Sequence, residues 1–341
     1  MAFTHRAMTG WIKNLLIRKL NSSPNLKGGF AALELHWLQG LAVLRKVYLT
    51  RLADDQPVVE LYYEEIRLHV EWRPLLHGAV VGRMELREPR LQIVASQARS
   101  NPNRSPGDAL LALCRETRHF MPFHLRSVEV HDGRVEYLSQ NTSPPFTLNL
   151  ERVTVHASNL TNITEVAAED SAQVVVTSRT TGEGQLWLHL TIPSMSDGLT
   201  FQLHTELKEI NLVALNDLLR ALAKFDLRRG RCSMTAEFNV ERGHYQGVVQ
   251  PHFHDLDVFA WQKEHGKGLL QILRQVVIAF LAVVFKNQAR DELAMKIPIS
   301  GTFAGRDVDT WAAVGSLLRN AFTQSLLPEP ESPEPAGRHR P

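Results

Sequence analysis

The sequence predicts a mainly β protein with a few helices, and two observations lead to that fold class. Apolar and polar residues alternate with a period of two in roughly ten short stretches, which is typical of strands with one face in water and the other buried. Helical periodicity is confined to a few places. Strands of a doubly wound parallel sheet would instead be continuous apolar runs, so the alternation favours an antiparallel sheet.

The clearest alternation lies in "LHVEWRPLLHGAVVGRMELREPRLQIV", residues 68–94. It predicts two amphipathic strands joined by a turn. The alternation then changes phase by one residue at Pro89, which predicts a bulge or bend. The apolar residues of the two strands include Leu68, Val70, Trp72, Met84 and Leu86.

Further strands follow along the chain. Asp132-Gly133 separates two alternating stretches, and this pair predicts a hairpin because it supplies the positive φ values of a tight turn. The same alternation recurs at Leu148 and Leu150, from Leu186 through Leu188 and Leu190 to Ile192, at Phe201 and Leu203, and from Met234 to Val240.

Helices are predicted near residues 110–120, 212–223, 269–285 and 308–326, within a β domain of residues 21–326. The third contains an apolar run of about 11 residues, which is too short to cross a bilayer and is expected to pack on the apolar side of the sheet. The proline-rich residues 327–341 predict a disordered tail.

Residues 1–20 predict an amphipathic helix, which has two interpretations. It could lie on an anionic membrane surface, or it could dock on its own domain. Its apolar side carries Trp11, Ile12, Leu15 and Leu16, and its basic side carries Lys13, Arg18 and Lys19.

Composition argues against a nucleic-acid-binding protein. Lys and Arg total 38 against 36 Asp and Glu, a net charge of +2, and the two signs are interspersed. The 2 cysteines, Cys114 and Cys232, are far apart and form neither a zinc motif nor a disulfide framework. We interpret both as small buried hydrophobic residues.

No motif for catalysis, cofactor binding or metal binding is found. Gly182-Glu183-Gly184 precedes a strand, whereas a phosphate-binding loop should open a helix. His252 and His254 share one strand face, but the segment supplies no third ligand on that face. The acidic pairs Glu64-Glu65 and Asp54-Asp55 are interpreted as solvated charge. We therefore expect no enzyme activity, no cofactor and no metal.

What covers the apolar strand faces decides the function, and periodicity leaves two possibilities open. Two sheets could face each other as a sandwich. Alternatively, one sheet could form a trough occupied by lipid acyl chains, since a monomer rarely exposes a large apolar surface.

Several motifs in order along the chain resemble the AsmA-like family of bacterial envelope proteins, in the branch labelled a domain of unknown function. The resemblance covers about residues 20–326, and it depends on the order and spacing of the motifs. They are the residues 71–82 with "LREPRL" after them, "DGRVEYL" at 132–138, "PPFTLNLERV" at 144–153, "NLTN" at 159–162, "LNDLLRALAKFDLRRG" at 215–230, "YQGVVQPHFHDLDVF" at 245–259, "FKNQ" at 285–288, "KIPISGTF" at 296–303 and "LRNAF" at 318–322.

This resemblance implies a long, curved antiparallel β-sheet forming a groove, related to bridge-like lipid-transfer proteins. It implies phospholipid acyl chains and the inner-membrane surface as partners, a periplasmic location and a role in outer-membrane assembly. The expected groove lining is Leu68, Val70, Trp72, Met84, Leu86, Leu188 and Leu190. The competing expectation is a closed scaffold domain that acts through other envelope proteins.

One departure from the family concerns the N-terminus. Family members begin with a transmembrane helix, and "WIKNLLIRKLN" resembles the segment that follows such a helix. We expect either a start upstream or a peripheral form of the protein.

Overall fold

A computed structural model describes the chain at residues 13–14, 17–18, 21, 26–53, 56–71, 73–74, 80–95, 123–140, 142–161, 171–193, 198–223, 226–259, 292–294, 296–303, 310, 313–318 and 321. The predicted helices at 110–120 and 269–285, the tail at 327–341 and Cys114 lie outside these residues.

The described strands form one mixed sheet of fifteen strands, which confirms the mainly β prediction. They are β1 (Leu26–Gly29), β2 (Ala32–His36), β3 (Leu41–Ala53), β4 (Gln56–Val70), β5 (Val80–Arg87), β6 (Arg90–Ala95), β7 (Phe123–Ser139), β8 (Phe146–Thr161), β9 (Ala172–Thr180), β10 (Gln185–Ile192), β11 (Phe201–Asn211), β12 (Asp226–Glu241), β13 (His244–Phe259), β14 (Glu292–Ala294) and β15 (Ile297–Thr302).

The strands occupy twelve neighbouring positions. Three positions each hold two segments: β1 and β2 both pair with β3, β5 and β6 both lie between β4 and β7, and β14 and β15 both pair with β13. One sheet of this width, with no second sheet in the described chain, does not match the sandwich alternative.

The prediction of a purely antiparallel sheet is wrong at one position. β7 pairs in parallel with β5 and β6, while the other pairs are antiparallel. A parallel pair needs a long connection that returns the chain to the end from which it started. Residues 96–122 provide that length.

The hairpin predicted at Asp132-Gly133 is also not formed. β7 continues through this pair, and Asp132 has a φ of 53° within a local register shift. The positive φ that the Asp-Gly sequence supplies is used for a bulge inside one long strand.

Similar positive-φ residues and register shifts lie next to each other on neighbouring strands. We call this line across the sheet, which passes through Glu88 and Asp132, the crease. Backbone bonds join Glu88 N to His131 O at 2.9 Å and Arg134 N to Pro89 O at 2.8 Å, which places the bend predicted at Pro89 beside Asp132. At the crease the buried side chains change from odd-numbered to even-numbered positions or the reverse, for example from Leu207 to Ile210 on β11. The positive-φ residues of the crease are Lys46, Glu88, Asp132, Arg152, Glu209 and Asp255.

Helical elements cover part of the apolar side of the sheet. A 3-10 helix (Leu212–Leu215) continues into α1 (Asn216–Ala223), which confirms the helix predicted at 212–223. Residues 310, 313–318 and 321 are helical, and we call them the C-terminal helical segment. Their core residues, Leu212, Leu215, Leu218, Leu219, Ala313, Val314, Leu317 and Ala321, belong to the same hydrophobic cluster as β7 to β13.

The edge strand β1 is covered by the chain that precedes it. The Asn21 side chain donates to Gly28 O at 2.8 Å and accepts from Gly28 N at 3.1 Å. Lys13 Nζ donates to Ala31 O at 2.9 Å and lies 5.7 Å from the centroid of the Phe30 ring. These groups satisfy backbone atoms that an edge strand otherwise presents to solvent.

Among the described residues, no helix has the length and apolar character needed to cross a membrane.

Candidate functional site

The candidate site is an apolar face formed by two rows of side chains that cross the sheet. The strand registers align one residue from each of eleven strands, β3 to β5, β7 to β13 and β15, in each row, and paired residues share a face. The first row is Ala42, Leu68, Met84, Val128, Ala157, Val174, Leu190, Leu203, Phe238, Gly247 and Ile299. The second is Leu44, Ile66, Leu86, Val130, Val155, Val176, Leu188, Thr205, Ala236, Val249 and Ile297.

Two members of these rows are small or polar for local reasons. The Phe238 ring lies over Gly247, where an added Cβ would clash with Phe238 Cδ1. The buried Thr205 hydroxyl donates to Trp187 O at 3.1 Å, so its burial leaves no unsatisfied donor.

The row between them faces the other way and is mostly polar. It contains Val43, Arg67, Glu85, Glu129, His156, Val175, His189, His204, Glu237, Val248 and Pro298. The period-two alternation of the sequence is therefore realised as one apolar face and one largely charged face over the same strands.

Exposure changes along the apolar rows. Side chains on β10 to β13 are covered by protein, as Leu190, Ala236 and Val249 are each 0 % exposed. Side chains on β3 to β5 remain partly exposed. We call the partly exposed members larger than alanine on β3 to β9 the open patch: Leu44, Ile66, Leu68, Met84, Leu86, Val130, Val155 and Val176.

The predicted lining residues fall on both sides of this division. Leu68, Met84 and Leu86 belong to the open patch, and Val70 is partly exposed beside them, paired with Gly82. Leu188 and Leu190, at 8 % and 0 % exposure, lie in the packed half and line no open surface. The Trp72 side chain lies outside the described residues.

Sequence reasoning missed the remaining members of the open patch. Ile66 and Val155 alternate with polar residues as the predicted residues do, so the signal was present there, whereas Val176 lies in the apolar run Val174–Val176. What alternation cannot reveal is which parts of the apolar face receive a covering helix.

The polar face carries an ion-pair network around Glu65. The prediction that Glu65 is a solvated charge is wrong. Glu65 is 7 % exposed, because Arg67 Nε lies 2.6 Å and Arg45 Nη1 3.0 Å from its carboxylate. Burial raises the pKa of the neighbouring Glu85, but Arg87 and Arg67 outweigh it, so that this pKa lies below its ordinary value. The network joins β3, β4 and β5 on the solvent side. Asp54 and Asp55 lie outside the described residues.

The predicted histidine pair does come together. The rings of His252 and His254 lie with centroids 4.3 Å apart. Within the described chain, no group of three or more His, Cys, Asp or Glu residues could hold a metal ion. Cys232 is a free, buried thiol, and burial raises its pKa to about 12.

The predicted membrane-surface helix is described only in part. Lys13 contacts the edge strand as noted above, and Arg18 Nε donates to Asn14 O at 3.3 Å. The side chains of Trp11, Ile12, Leu15, Leu16 and Lys19 lie outside the described residues.

Comparisons with known proteins assign no family: the sequence matches no family model and no curated protein. The AsmA-like resemblance therefore remains an expectation.

Proposed function

We propose that this protein is a non-enzymatic, AsmA-like envelope protein that carries phospholipid acyl chains on the open patch. The observation that supports this proposal is the pair of continuous apolar rows on a single sheet, of which one half is packed by protein and the other half stays partly exposed. A patch of that kind on a monomer marks a binding surface for an apolar partner.

The energetics favour acyl chains as that partner. Each 100 Å² of apolar surface removed from water contributes about 2.5 kcal/mol, at roughly 25 cal/mol per Å². The patch offers aliphatic side chains and Met84, with its charged residues on the opposite face, so a hydrocarbon chain meets no unpaired charge there.

The dimensions are also suitable. β5 has 8 residues between the end of the sheet and the crease, which at about 3.3 Å per residue is roughly 26 Å. The hydrocarbon of one leaflet is about 15 Å deep, half of a core of about 30 Å. An acyl chain can therefore lie along one strand within the groove that we propose.

The wider role that we propose is transfer of phospholipid in the periplasm, from the inner-membrane surface, in support of outer-membrane assembly. The second candidate is a closed scaffold that acts through other envelope proteins. Its supporting observation is the packing of α1 and the C-terminal helical segment against half of the apolar face.

Lipid content separates the two candidates. Native mass spectrometry with lipid extraction, on protein from membranes and from the soluble fraction, should find phospholipid bound to the wild-type chain. The triple variant Leu68→Asn, Met84→Gln and Leu86→Asn keeps side-chain size while making the patch polar, and should lose most of that lipid.

The matched control is Val175→Asn, an apolar-to-polar change at a partly exposed position on the polar face of β9. It should retain the lipid load. Circular dichroism would establish that each variant is folded. A lipid-free wild type, or a folded triple variant with unchanged lipid, would reject the carrier proposal, and the lipid-free result would favour the scaffold.

A further inference from the structure

One end of the sheet combines an apolar tip with basic side chains. We call it the rim and define it by residues 36–41, 69–71 with 73, 80–83 and 123–126. Val70 N donates to Gly40 O at 2.6 Å, which holds the turn between β2 and β3 against the end of β4. Strand pairing extends across the rim: His36 pairs with Leu41, Leu41 pairs with His69, and His69 pairs with Arg83.

The tip of the rim is Leu38. It lies in the 3-10 helix Trp37–Gln39 between β2 and β3, and at 104 % exposure it is the most exposed large hydrophobic residue of the described chain. Full exposure of a leucine next to a tryptophan, at the end of a hairpin, suits insertion into an apolar or interfacial medium.

The charge of the rim is positive. Its defined ranges contain three arginines and three histidines but a single carboxylate, Glu71. Arg126 Nη1 pairs with Glu71 Oε1 at 2.6 Å. Arg83 is exposed and has no carboxylate partner among the described residues, so the rim has an excess of cations.

A cleft of about 440 Å³ opens on the polar face just behind the rim. His69, Arg83 and Arg126 line it, together with Ser127 and the carboxylates Glu71, Glu85 and Glu129. Guanidinium groups of this kind bind phosphate oxygens in bidentate fashion. The cleft has three carboxylates against two arginines, and Arg126 is paired with Glu71, so the cleft itself is not cationic. Arg83, which has no carboxylate partner among the described residues, is the cation that the rim offers to a phosphate.

We propose that the rim docks on the surface of an anionic phospholipid bilayer. Leu38 enters the interface, and Arg83 contacts a lipid phosphate. Anionic lipid is favoured because charge complementarity and the exposed leucine point to the same partner, whereas a nucleic acid would use the cations alone. Leu38 and Arg83 lie outside the open patch, although Met84 of that patch also lines the cleft. Docking through Leu38 and Arg83 does not require that lipid be carried.

The test is flotation of the full-length protein with vesicles of phosphatidylglycerol and phosphatidylcholine, and with vesicles of phosphatidylcholine alone. Wild type should bind the anionic vesicles, and binding should fall as salt increases. Arg83→Gln should weaken binding about fivefold, as expected for the loss of one basic residue near an anionic surface. Leu38→Asp should weaken it by about tenfold or more.

Matched controls lie at the opposite end of the sheet. Val213→Asp changes a residue that is 36 % exposed in the other 3-10 helix, and Arg229→Gln changes an arginine whose side chain is 75 % exposed. Both should bind vesicles like wild type.

Three results would overturn the proposal: no flotation with anionic vesicles, equal losses in the rim and control variants, or tighter binding of a DNA oligonucleotide that Leu38→Asp leaves unchanged. The last result would assign the basic rim to a nucleic acid. Lipid content is measured separately, so failure here leaves the carrier proposal standing.

Discussion

Leu68 and Leu190 belong to the same apolar row, five strand pairings apart along it, and the same substitution should have different costs at the two positions. Leu190 is 0 % exposed, with protein on every side. Leu190→Ala therefore removes buried methyl groups and leaves a cavity, and should lower the free energy of unfolding by about 3–5 kcal/mol.

Leu68 is partly exposed, so the space left by Leu68→Ala opens to solvent and adds little cavity cost. Three carbon atoms at about 0.8 kcal/mol each give an upper limit near 2.4 kcal/mol, and partial exposure reduces it to about 1.5–2 kcal/mol. The expected difference between the two variants is about 2 kcal/mol.

Urea unfolding of delipidated protein, followed by circular dichroism, would measure both values from the transition midpoint, provided that the slope is unchanged. Equal losses at the two positions would refute the reasoning, because they would mean that protein covers both halves of the row. The open patch would then be a packed core, and the carrier proposal would lose its support.

Three further outcomes are expected. In a Cys114→Ser variant, Cys232 should not react with a thiol reagent at pH 8 until the protein is unfolded, because burial raises its pKa to about 12; absorbance of the released chromophore would measure this. Gly247→Ala should destabilise the fold, since the Phe238 ring must move, whereas Gly315→Ala, with open space and a helical position, should stabilise by about 0.5–1 kcal/mol in thermal unfolding. The hydrogen bond from Lys208 holds the pKa of Glu206 below its ordinary value, so Lys208→Met should raise it in an NMR titration; the stabilisation is present above the unfolded-state pKa and is lost as pH falls through the folded-state pKa.

The alternation of apolar and polar residues predicted the strands and which of their faces is exposed to solvent or buried, because a half-buried sheet requires a period of two. It even located the bend at Pro89, where the backbone of Glu88 has a φ of 47°. It failed at Asp132-Gly133, because a bulge and a tight turn need the same positive φ and differ only in what pairs on either side. Local sequence cannot show that pairing.

The candidate site was predicted only in part, because burial, like strand pairing, depends on residues that are distant in sequence. Periodicity identified Leu68 and Leu190 as equivalent, since both alternate with polar neighbours. Leu190 is a fully buried member of the cluster that also contains α1 and the C-terminal helical segment, whereas Leu68 packs only at its margin, and those helical elements are distant in sequence from both. The burial of Glu65 was missed likewise, because its arginine partners lie on three strands.

The covering of edge strand β1 by the Asn21 side chain has a consequence for self-association. A wide sheet with one apolar face is prone to stacking into fibrils when a free edge can template another chain. Here the Asn21 amide occupies both backbone groups of Gly28, and the strands at the opposite border, β14 and β15, are short. Both borders are thus poor templates for strand addition. The protein can keep an apolar face available to a ligand while its faces and rim, rather than its edges, remain the surfaces that meet other molecules.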